Sequence, residues 1–497
     1  MNLAVAFADS ASQHATETAV FWGERKYSYA EIANLAARMA GALRNRFTIQ
    51  PGDRVGLWLK NCPEFVPSVF GILQAGAVVV PINNFLKPDE VGFILNDAGI
   101  DVLITDTELS VHEAALASQR ATVKLLHVEE IASLPLPTSL PAPNRAAHDL
   151  AILIYTSGTT GHPKGAMLSH ANLLHNVASC RQVLEATEED RFVVMLPLFH
   201  SYMMCVGLML PLLSGGAMIL VKSLHPLKNL FHEIFAHHGT ILPAIPQFYR
   251  SLVHATVPPN CPLRICISGA APLPVQILQE FEAKFSIPLI EGYGLSEASP
   301  VVTKNPLHGV RKAGSIGLPI PGVEVSVQDE SGRMLGVREV GEICVRGGNV
   351  MLGYWNKPEE TAAALRDHWL LTGDVGYRDA DGYFFITDRK KDMLLVNGIN
   401  VYPREIEEIL YQFPGVKEAA VIGVPDPRKG EQPVAFISPL DGTVLDTKAI
   451  SQFVRGKLAD YKVPKRIEVL PALPRNATGK ILKTALRTLA KPETGAE

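Results

Sequence analysis

A glycine-rich segment at residues 155–165 is the clearest candidate for chemistry in the sequence. It holds three glycines, four serine or threonine hydroxyls and one lysine, Lys164, within eleven positions. Glycine lets backbone N–H groups turn toward an anion, hydroxyls add donors that rotate, and lysine adds a positive charge. The segment therefore predicts a loop that grips a polyphosphate. It is not a Walker A loop, because Pro163 stands where that motif needs its second glycine.

The flanks of this loop argue against the alternative interpretation, a flexible linker. An apolar β-type run at residues 150–154 precedes the loop, and a helix-like segment begins at Ser169. The sequence thus predicts a strand–loop–helix element that anchors the phosphate loop at both ends.

Two further glycine-flanked segments add carboxylates. Residues 291–297 supply the aromatic face of Tyr293, the hydroxyl of Ser296 and the hard oxygen ligand Glu297, which suits Mg²⁺. Asp374 stands between two glycines and offers two acceptor oxygens. The plain alternatives are a capped glycine-rich turn for the first segment and an Asx turn for the second.

Other segments are ambiguous when taken alone. Residues 268–272 are small enough for flat contact with a ring, and they follow a buried strand. His200, after a strand end, is by itself most simply a satisfied turn residue. Residues 388–392 form a charged run, typical of a solvated linker. Lys480 ends a basic loop near the C-terminus, which alone favours a mobile tail.

The elements that must position these groups alternate along the chain. From Gly52 to Ile267, apolar strands alternate with amphipathic helices, which indicates doubly wound parallel sheets. Residues 203–221 carry no charge, but Pro211 and the glycines after it divide the run into a helix and a strand. A membrane span is therefore disfavoured.

The pattern changes near Gly314, where short strands with glycine turns begin. We predict an α/β fold with a large N-terminal domain at residues 1–387, which ends in a small β-barrel-like subdomain at about 314–387. Residues 388–391 are predicted as a hinge, and residues 392–497 as a compact, mobile α+β domain.

Composition bounds the function. A chain of 497 residues, 47% of them hydrophobic and 19% charged, is expected to form two or more domains. A net charge of −4 without a long basic run argues against nucleic acid as a partner. Six cysteines without zinc spacing, and no basic N-terminal region, predict a reduced cytoplasmic protein. Loose membrane-surface association and the oligomeric state stay open.

In their order along the chain, these segments resemble the motifs of the adenylate-forming (AMP-binding) superfamily, which includes acyl-CoA synthetases, luciferases and peptide-synthetase adenylation domains. The resemblance covers most of the chain and is closest to the fatty acyl-CoA synthetase branch. Ser296 departs from the pattern, since the family more often has threonine there, but the hydroxyl is kept. The resemblance implies a C-terminal lid domain that rotates about Lys391.

The resemblance also implies individual roles. Tyr293 is expected to stack on adenine, Asp374 and Arg389 to contact ribose, and Glu297 to hold Mg²⁺. Catalytic roles are expected for Lys480, Glu297, Ser296 and His200. The residues expected to bind ATP or AMP are Thr156, Ser157, Gly158, Thr159, Thr160, Gly161, Lys164, Gly269, Ala270, Ala271, Glu291, Gly292, Tyr293, Gly294, Ser296, Asp374, Arg389 and Lys480.

The acid is expected in a pocket that begins at His200, and the pantetheine arm of coenzyme A is expected to pass Gly398. The sequence after His200 has no nearby carboxylate to pair with an amine, which argues against amino-acid substrates. Flexible methionines suit a medium- or long-chain fatty acid, and an aryl acid such as a benzoate or cinnamate is the alternative. The expected acyl pocket consists of His200, Met203, Met204, Gly207 and Leu208.

We therefore predict an AMP-forming acid–thiol ligase that uses ATP, Mg²⁺ and coenzyme A in two steps. In the first, Lys480 stabilises the attack of a carboxylate on the α-phosphate, and in the second, domain rotation brings in the thiol. Transfer to the pantetheine of a separate carrier protein is an alternative. A non-enzymatic nucleotide-binding protein is disfavoured because Lys164, Asp374 and Arg389 accompany Lys480.

Overall fold

The computed structural model describes residues 1–139, 145–156, 163–224, 226–256, 260–397, 399–426, 428–475 and 480–490. The strands are β1 (Thr18–Trp22), β2 (Arg25–Ser28), β3 (Arg54–Leu57), β4 (Val78–Pro81), β5 (Val102–Thr105), β6 (Lys124–His127), β7 (Leu150–Thr156), β8 (Lys164–Ser169), β9 (Arg191–Val194), β10 (Ala217–Leu220), β11 (Ile241–Ala244), β12 (Ile265–Ser268), β13 (Leu289–Gly294), β14 (Val301–Lys304), β15 (Leu318–Pro319), β16 (Val323–Gln328), β17 (Gly341–Gly347), β18 (Gly353–Tyr354), β19 (Leu365–Arg366), β20 (Trp369–Arg378), β21 (Phe384–Arg389), β22 (Leu394–Val396), β23 (Ile399–Val401), β24 (Val416–Asp426), β25 (Gly430–Pro439) and β26 (Arg466–Val469).

The α-helices are α1 (Leu3–Gln13), α2 (Tyr29–Asn45), α3 (Phe65–Gln74), α4 (Pro88–Asp97), α5 (Glu113–Gln119), α6 (His170–Leu184), α7 (Leu210–Leu213), α8 (Lys228–Ala236), α9 (Pro246–His254), α10 (Val275–Phe285), α11 (Pro358–Ala364), α12 (Pro403–Tyr411), α13 (Thr447–Arg455) and α14 (Lys483–Leu489). Short 3₁₀ segments at Leu109–His112, Val128–Ser133, Ser296–Ala298 and Asp460–Lys462 and a π-helical segment at Met203–Met209 complete the helical elements.

Two large sheets form the body of the chain, and the predicted parallel pairing is confirmed at their centres. One sheet has the order β18-β8-β7-β4-β3-β5-β6, and its strands β7, β4, β3, β5 and β6 are parallel. The other has the order β15-β14-β13-β12-β11-β9-β10-β1-β2, parallel from β13 to β1. Antiparallel strands extend the first sheet at its β18 end and the second sheet at both ends, which the alternation pattern did not predict.

The element after the phosphate loop differs from the prediction. Lys164–Ser169 forms β8, which runs antiparallel to β7 and pairs Lys164 with Thr156 across the loop. The loop therefore closes a β-hairpin, and helix α6 begins only after β8. Ser169 is the helix N-cap, since its hydroxyl accepts a hydrogen bond from the N–H of Asn172 at 3.1 Å. The hairpin fixes both ends of the loop more tightly than a strand–helix junction would.

Between the N-terminal sheets and the chain end lies the predicted β-rich region. Strands β16, β17, β20, β19 and β21 form an antiparallel sheet within residues 323–389. Strand β21 continues through Arg389, two residues beyond the expected domain limit at 387. The charged residues from Asp388 onward thus start on a strand, and the turn with Lys391 follows it.

The C-terminal residues form a separate sheet covered by helices, as predicted for a compact α+β domain. Strands β23, β22, β25 and β24 are antiparallel, and β26 adds in parallel to β25. Helices α12 and α13 bury Ile406, Leu410, Ile450 and Val454 against this sheet, which gives it a hydrophobic core of its own. These residues fall on one face of each helix at a spacing of four.

The uncharged run at 203–221 forms the predicted helix and strand. Residues 203–209 take a π-helical form, α7 continues the helix to Leu213, and β10 follows from Ala217. Among the described residues, no helix is long and apolar enough to cross a membrane. The segment instead lies in the main core of the large domain, where Met203, Met204 and Leu208 are almost fully buried.

Candidate active site

A cleft of about 210 Å³ lies between the large domain and the C-terminal domain. The ends of β12 and β13 and the strands β20 and β21 form one wall, and α12, β24 and residues around Lys480 form the other. Loops at the carboxyl ends of parallel strands are the usual place for ligand sites in such sheets. Nine predicted site residues line this cleft: Ala270, Ala271, Glu291, Gly292, Tyr293, Gly294, Asp374, Arg389 and Lys480.

Asp374 is the centre of a hydrogen-bonded group in the cleft. Its side chain is buried, with 4% of the residue exposed. The Tyr293 phenol donates to Asp374 Oδ2 at 2.5 Å, and Arg389 Nε donates to Oδ1 at 3.0 Å. Burial, with the neighbouring Asp374 carboxylate, raises the pKa of Tyr293, so the phenol stays protonated and remains a donor. The two strands β20 and β21 hold this pair, because Asp374 and Arg389 are partners in their register.

Within residues 291–294, Gly294 is required by a close backbone contact. A Cβ on Gly294 would come within 2.0 Å of the Pro300 carbonyl oxygen. Glu291 at the start of this segment is buried and accepts a hydrogen bond from the N–H of Leu273 at 3.0 Å. Burial raises the pKa of Glu291 to about 7. Its carboxylate ties the segment to the loop before α10.

The small-residue segment after β12 approaches the same cleft. Ala270 has a positive φ of 64°, a conformation that L-residues rarely adopt. A Cβ on Gly269 would lie 3.1 Å from the ring of Tyr202. The backbone here is thus turned sharply beside an aromatic ring, which leaves a thin, flat wall of the kind the sequence predicted.

Tyr354 connects Glu297 with Lys164, and no pattern in the sequence selects it. Its phenol donates to Glu297 Oε1 at 2.9 Å, and Lys164 Nζ lies 5.4 Å from the centre of its ring. Strand β18 carries Tyr354 and pairs with β8, which carries Lys164. Ser296, next to Glu297, shares a hydrogen bond of 2.9 Å with Ser201. The predicted phosphate-side residues are therefore linked through one tyrosine.

Thr156 and Lys164 mark the two ends of the phosphate loop. Their register in the hairpin brings Thr156 Oγ1 within 3.5 Å of the Lys164 carbonyl oxygen. The predicted loop residues Ser157, Gly158, Thr159, Thr160 and Gly161, and the predicted coenzyme A contact Gly398, lie outside the described residues.

Lys480 and His200 are far apart in the sequence and influence each other. Burial lowers the pKa of Lys480 to about 8, and the positive charge of Arg389 acts in the same direction. Burial and the charge of Lys480 lower the pKa of His200 to about 4, so that imidazole is neutral. The sequence alone favoured a mobile tail around Lys480, whereas the structure places this lysine in the cleft.

The expected acyl-pocket residues follow His200 directly. Met203, Met204, Gly207 and Leu208 all lie in the buried π-helical segment. A Cβ on Gly207 would come within 2.4 Å of Met203 Cε, so the methionine methyl group fills the space that the glycine leaves. A π-helical insertion is frequent at functional sites. Rotation of the flexible Met203 side chain is the simplest way to change the room beside Gly207.

Contacts between the two domains hold the C-terminal domain against the cleft. Arg250 on α9 donates from Nη2 to the Val416 carbonyl oxygen at 2.6 Å and lies 5.9 Å from the centre of the Tyr411 ring. Near the predicted hinge, Asp388 accepts a hydrogen bond from the N–H of Arg404 at 2.9 Å. Sequence reasoning missed Arg250, because only the docked arrangement gives it partners. Burial lowers the pKa of Lys391 in the turn between the domains.

A sequence profile described as AMP-binding enzyme matches residues 7–355, and a second, described as AMP-binding enzyme C-terminal domain, matches residues 405–480. The chain belongs to the AMP-binding enzyme family. The first match covers the large domain as far as Trp355, and the second ends at Lys480. The cleft therefore lies between the two regions that define this family.

Relatives in the AMP-binding family are similar over nearly the whole chain. A long-chain-fatty-acid–CoA ligase of Bacillus subtilis is 38% identical over 98% of this chain and 93% of its own length. A feruloyl-CoA synthase of an Amycolatopsis species is 39% identical over 96% of each chain.

A solved structure shows the same fold. ATP-bound MatB of Rhodopseudomonas palustris, 34% identical, covers 98% of this chain and 99% of its own, with a TM-score of 0.91. The TM-score with apo MatB of the same organism is 0.81, at 33% identity and over 98% and 99% of the two chains. The arrangement of this chain is therefore closer to the ATP-bound form.

Proposed function

We propose that this chain activates a carboxylic acid with ATP, giving acyl-AMP and pyrophosphate, and then transfers the acyl group to coenzyme A with release of AMP. Its membership of the AMP-binding family and its near full-length similarity to two kinds of CoA ligase support this function. The observation that carries the proposal is the position of Lys480. A lysine of the C-terminal domain lies in a cleft beside Asp374, Arg389 and His200 of the large domain.

The nucleotide occupies the wall formed by Tyr293, Asp374 and Arg389. Each oxygen of Asp374 accepts one hydrogen bond in the structure, and a carboxylate oxygen has capacity for a second. Asp374 can therefore accept from both ribose hydroxyls. Arg389 holds the carboxylate in place and is the second ribose contact. The adenine ring lies against Tyr293 and the flat backbone at Gly269 and Ala270.

The phosphates lie toward Lys164 and the loop that precedes it. Glu297 would hold Mg²⁺ there, and its carboxylate fits this ion, because Tyr354 occupies only one of its two oxygens. Among the described residues, no group of three or more metal-ligating side chains occurs. Glu297 would be the protein ligand of Mg²⁺, and the ATP phosphates and water would supply its other ligands, as Mg²⁺ commonly requires.

In the first step, a carboxylate oxygen of the acid attacks the α-phosphorus, and the bond to the β-phosphate breaks. Negative charge grows on the oxygens around the α-phosphorus, and the Lys480 ammonium stabilises it together with the hydroxyl of Ser296. The neutral His200 lies where the acid carboxylate enters and adds no competing charge. The loop and Lys164 hold the departing pyrophosphate, so the chemistry depends on position and charge.

In the second step, the C-terminal domain rotates about the turn at Lys391. The rotation withdraws Lys480 and brings Gly398 to the pantetheine arm. The coenzyme A sulfur, having lost its proton, attacks the acyl carbon, and AMP leaves with the electrons of the broken carbon–oxygen bond. The two steps need different groups at one site, which hinge motion of a separate domain supplies.

The acid has an apolar body, and we propose a medium- or long-chain fatty acid as the first candidate. The buried methionines Met203 and Met204 and the neighbouring Leu208 support an apolar chain. An aryl acid is the second candidate. The Met203 methyl group closes the space beside Gly207, which shortens the pocket, and one relative is named for a feruloyl product.

Pyrophosphate release on mixing the protein with MgATP and graded fatty and aryl acids tests this function. We expect acid-dependent pyrophosphate release without coenzyme A to be limited to about one equivalent, and turnover when coenzyme A is added. A mixture without acid is the control. If no acid releases pyrophosphate although ATP binds, the ligase function is wrong. If release occurs but only a pantetheine-bearing carrier protein supports turnover, the acceptor is not free coenzyme A.

A further inference from the structure

Lys304 is a buried lysine that the proposed reaction does not use. It is the last residue of β14, and only 6% of its surface is exposed. Among the described residues, no acceptor forms a hydrogen bond with its Nζ atom. Burial lowers the pKa of Lys304 to about 7. A buried donor without a partner is costly, so an apolar side chain of the same length would stabilise this position better.

The side chain of Lys304 lies along a strand that lines the active-site cleft. Lys304 is paired with Gly292 across β13 and β14, and directly opposed residues of an antiparallel pair lie on the same face. Accordingly, a Cβ built on Gly292 would lie 3.8 Å from Lys304 Cγ. Gly292 itself lines the cleft. The lysine therefore begins next to the cleft wall and runs along the face of the sheet.

That face packs on α6 and on the π-helical segment that holds the proposed acyl pocket. Asn176 on α6 bonds to β14 through both its amide atoms, with Val301 N–H at 3.2 Å and the Val301 carbonyl at 2.7 Å. The same Asn176 oxygen lies 3.4 Å from the sulfur of Cys205, between Met204 and Gly207 in the π-helical segment. Cys180 of α6, whose sulfur lies 3.8 Å from that oxygen, is also a neighbour of Lys304. Lys304 thus lies in the layer that the acyl pocket occupies.

None of these neighbours satisfies the lysine. The Asn176 oxygen is already shared by the Val301 N–H and the thiols of Cys180 and Cys205, and the hydrogen bond to Cys180 together with burial raises the pKa of Cys205 well above its usual value, so that thiol stays protonated. The charged neighbour Arg264 repels Lys304 and is itself paired with Asp190 at 2.7 Å. An acceptor supplied by the substrate would remove the cost of the unpaired donor.

We propose that Lys304 determines specificity by donating a hydrogen bond to an oxygen at the far end of the acid, away from the carboxylate that is activated. The oxygen belongs to a phenol or to a second carboxylate, since both accept from a lysine in the same way. This inference rests on the proposed ligase function. It narrows the acid from any apolar carboxylic acid to one with an apolar body and a distal oxygen.

Two matched pairs of acids test the inference: cinnamic against 4-hydroxycinnamic acid, and octanoic against octanedioic acid. Pyrophosphate release with MgATP and coenzyme A gives kcat/KM for each acid. We expect the wild-type protein to prefer the oxygen-bearing member of at least one pair by about 100-fold or more, because a site built to donate a hydrogen bond rejects an analogue that lacks the acceptor. The pair that shows the preference identifies the oxygen as phenolic or carboxylate.

The variant Lys304→Met keeps the length of the side chain and removes its charge. It should lower kcat/KM for the preferred acid by about 100-fold while leaving that for its plain partner within about 3-fold. Lys124→Met, at an exposed lysine of the edge strand β6, is the matched control and should change neither value. An equal loss for both members of a pair would mean that Lys304 has only a structural role, which would overturn the inference.

The kcat/KM values of the wild-type protein for the two members of each acid pair test the distal-oxygen site even if Lys304→Met does not fold. Equal use of both members of both pairs refutes a distal-oxygen site, although pyrophosphate release with the plain acids would still support the ligase function. If none of the four acids supports pyrophosphate release, the ligase function itself is contradicted. The two failures are therefore distinguishable.

Discussion

Lys480 offers the sharpest test of the proposed two-step reaction, because its charge matters in only one step. Removing one preorganised group that faces developing charge costs about 3–4 kcal/mol, which corresponds to a loss of about 10²–10³-fold in rate. We expect Lys480→Ala to lower adenylation by that factor. Thioester formation from supplied acyl-AMP should stay within about 3-fold of the wild-type rate, since the lysine leaves the site before that step.

The same lysine predicts a pH dependence. Burial, reinforced by the charge of Arg389, lowers the pKa of Lys480 to about 8, so the ammonium is present below pH 8 and is lost above it. Since kcat/KM reports ionisations of the free enzyme, kcat/KM for adenylation should fall about 10-fold for each pH unit above that pKa. Lys480→Arg cannot lose its proton in this range. Its adenylation should be slower at neutral pH but should not decline between pH 8 and 10.

Two assays check these expectations: pyrophosphate release for the first step, and thioester formation from supplied acyl-AMP and coenzyme A for the second. Each is measured for the wild type, Lys480→Ala and Lys480→Arg across pH 6.5–10. Equal loss of both steps in Lys480→Ala would refute the separation of roles. Persistence of the alkaline decline in Lys480→Arg would show that another group titrates.

Two other residues extend the test to the rest of the site. Arg250→Ala removes the guanidinium that donates to the Val416 carbonyl at 2.6 Å, and a hydrogen bond from a charged group is worth about 1.5–3 kcal/mol. We therefore expect adenylation to fall at least about 10-fold, without a loss in thioester formation from acyl-AMP. Equal effects on both steps, measured in the same two assays, would contradict a role of Arg250 in docking the C-terminal domain. Lys164→Ala should raise the KM for ATP in adenylation more than it affects thioester formation, with Lys164→Arg as the charge-keeping control; an unchanged KM for ATP would remove Lys164 from the phosphate site.

The alternating strands and helices were predictable because each element carries its own hydrophobic pattern in the sequence. The alternation of strands and helices indicated parallel sheets, and the Ser28-x-x-Glu31 pattern is that of a capping box, which the structure has at the start of α2. Strands at or next to the sheet edges were not predictable in this way. The short strand β1 pairs with β10, about two hundred positions later in sequence, and β8 forms only because the hairpin returns to β7. Such strands depend on their partner more than on their own composition.

The residues of the candidate site likewise divide into those with a local sequence signal and those without one. Asp374 and Arg389 could be selected because each is a charged residue in a distinctive short segment, and the strand register then places them 3.0 Å apart. Tyr354 could not be selected, because what marks it is its contacts in the fold: a hydrogen bond to Glu297 and a ring that lies near the Lys164 amine. Residues that act by joining two segments leave no local signal, so the sequence finds the groups that do chemistry better than those that hold them.

The burial of Lys304 could not be predicted from the sequence and is visible only in the folded structure. Within residues 301–304 it reads as an ordinary lysine at a strand end, where exposure is the normal expectation. Only its register with Gly292 and the packing of α6 on β14 bury it beside the proposed acyl pocket. The apolar residues that follow His200 led the sequence argument toward a plain fatty acid. The buried Lys304 amine, which lies in the same layer and has no hydrogen-bond partner among the described residues, argues for an acid that carries oxygen at both ends. The comparison of paired acids distinguishes such an acid from a plain fatty acid.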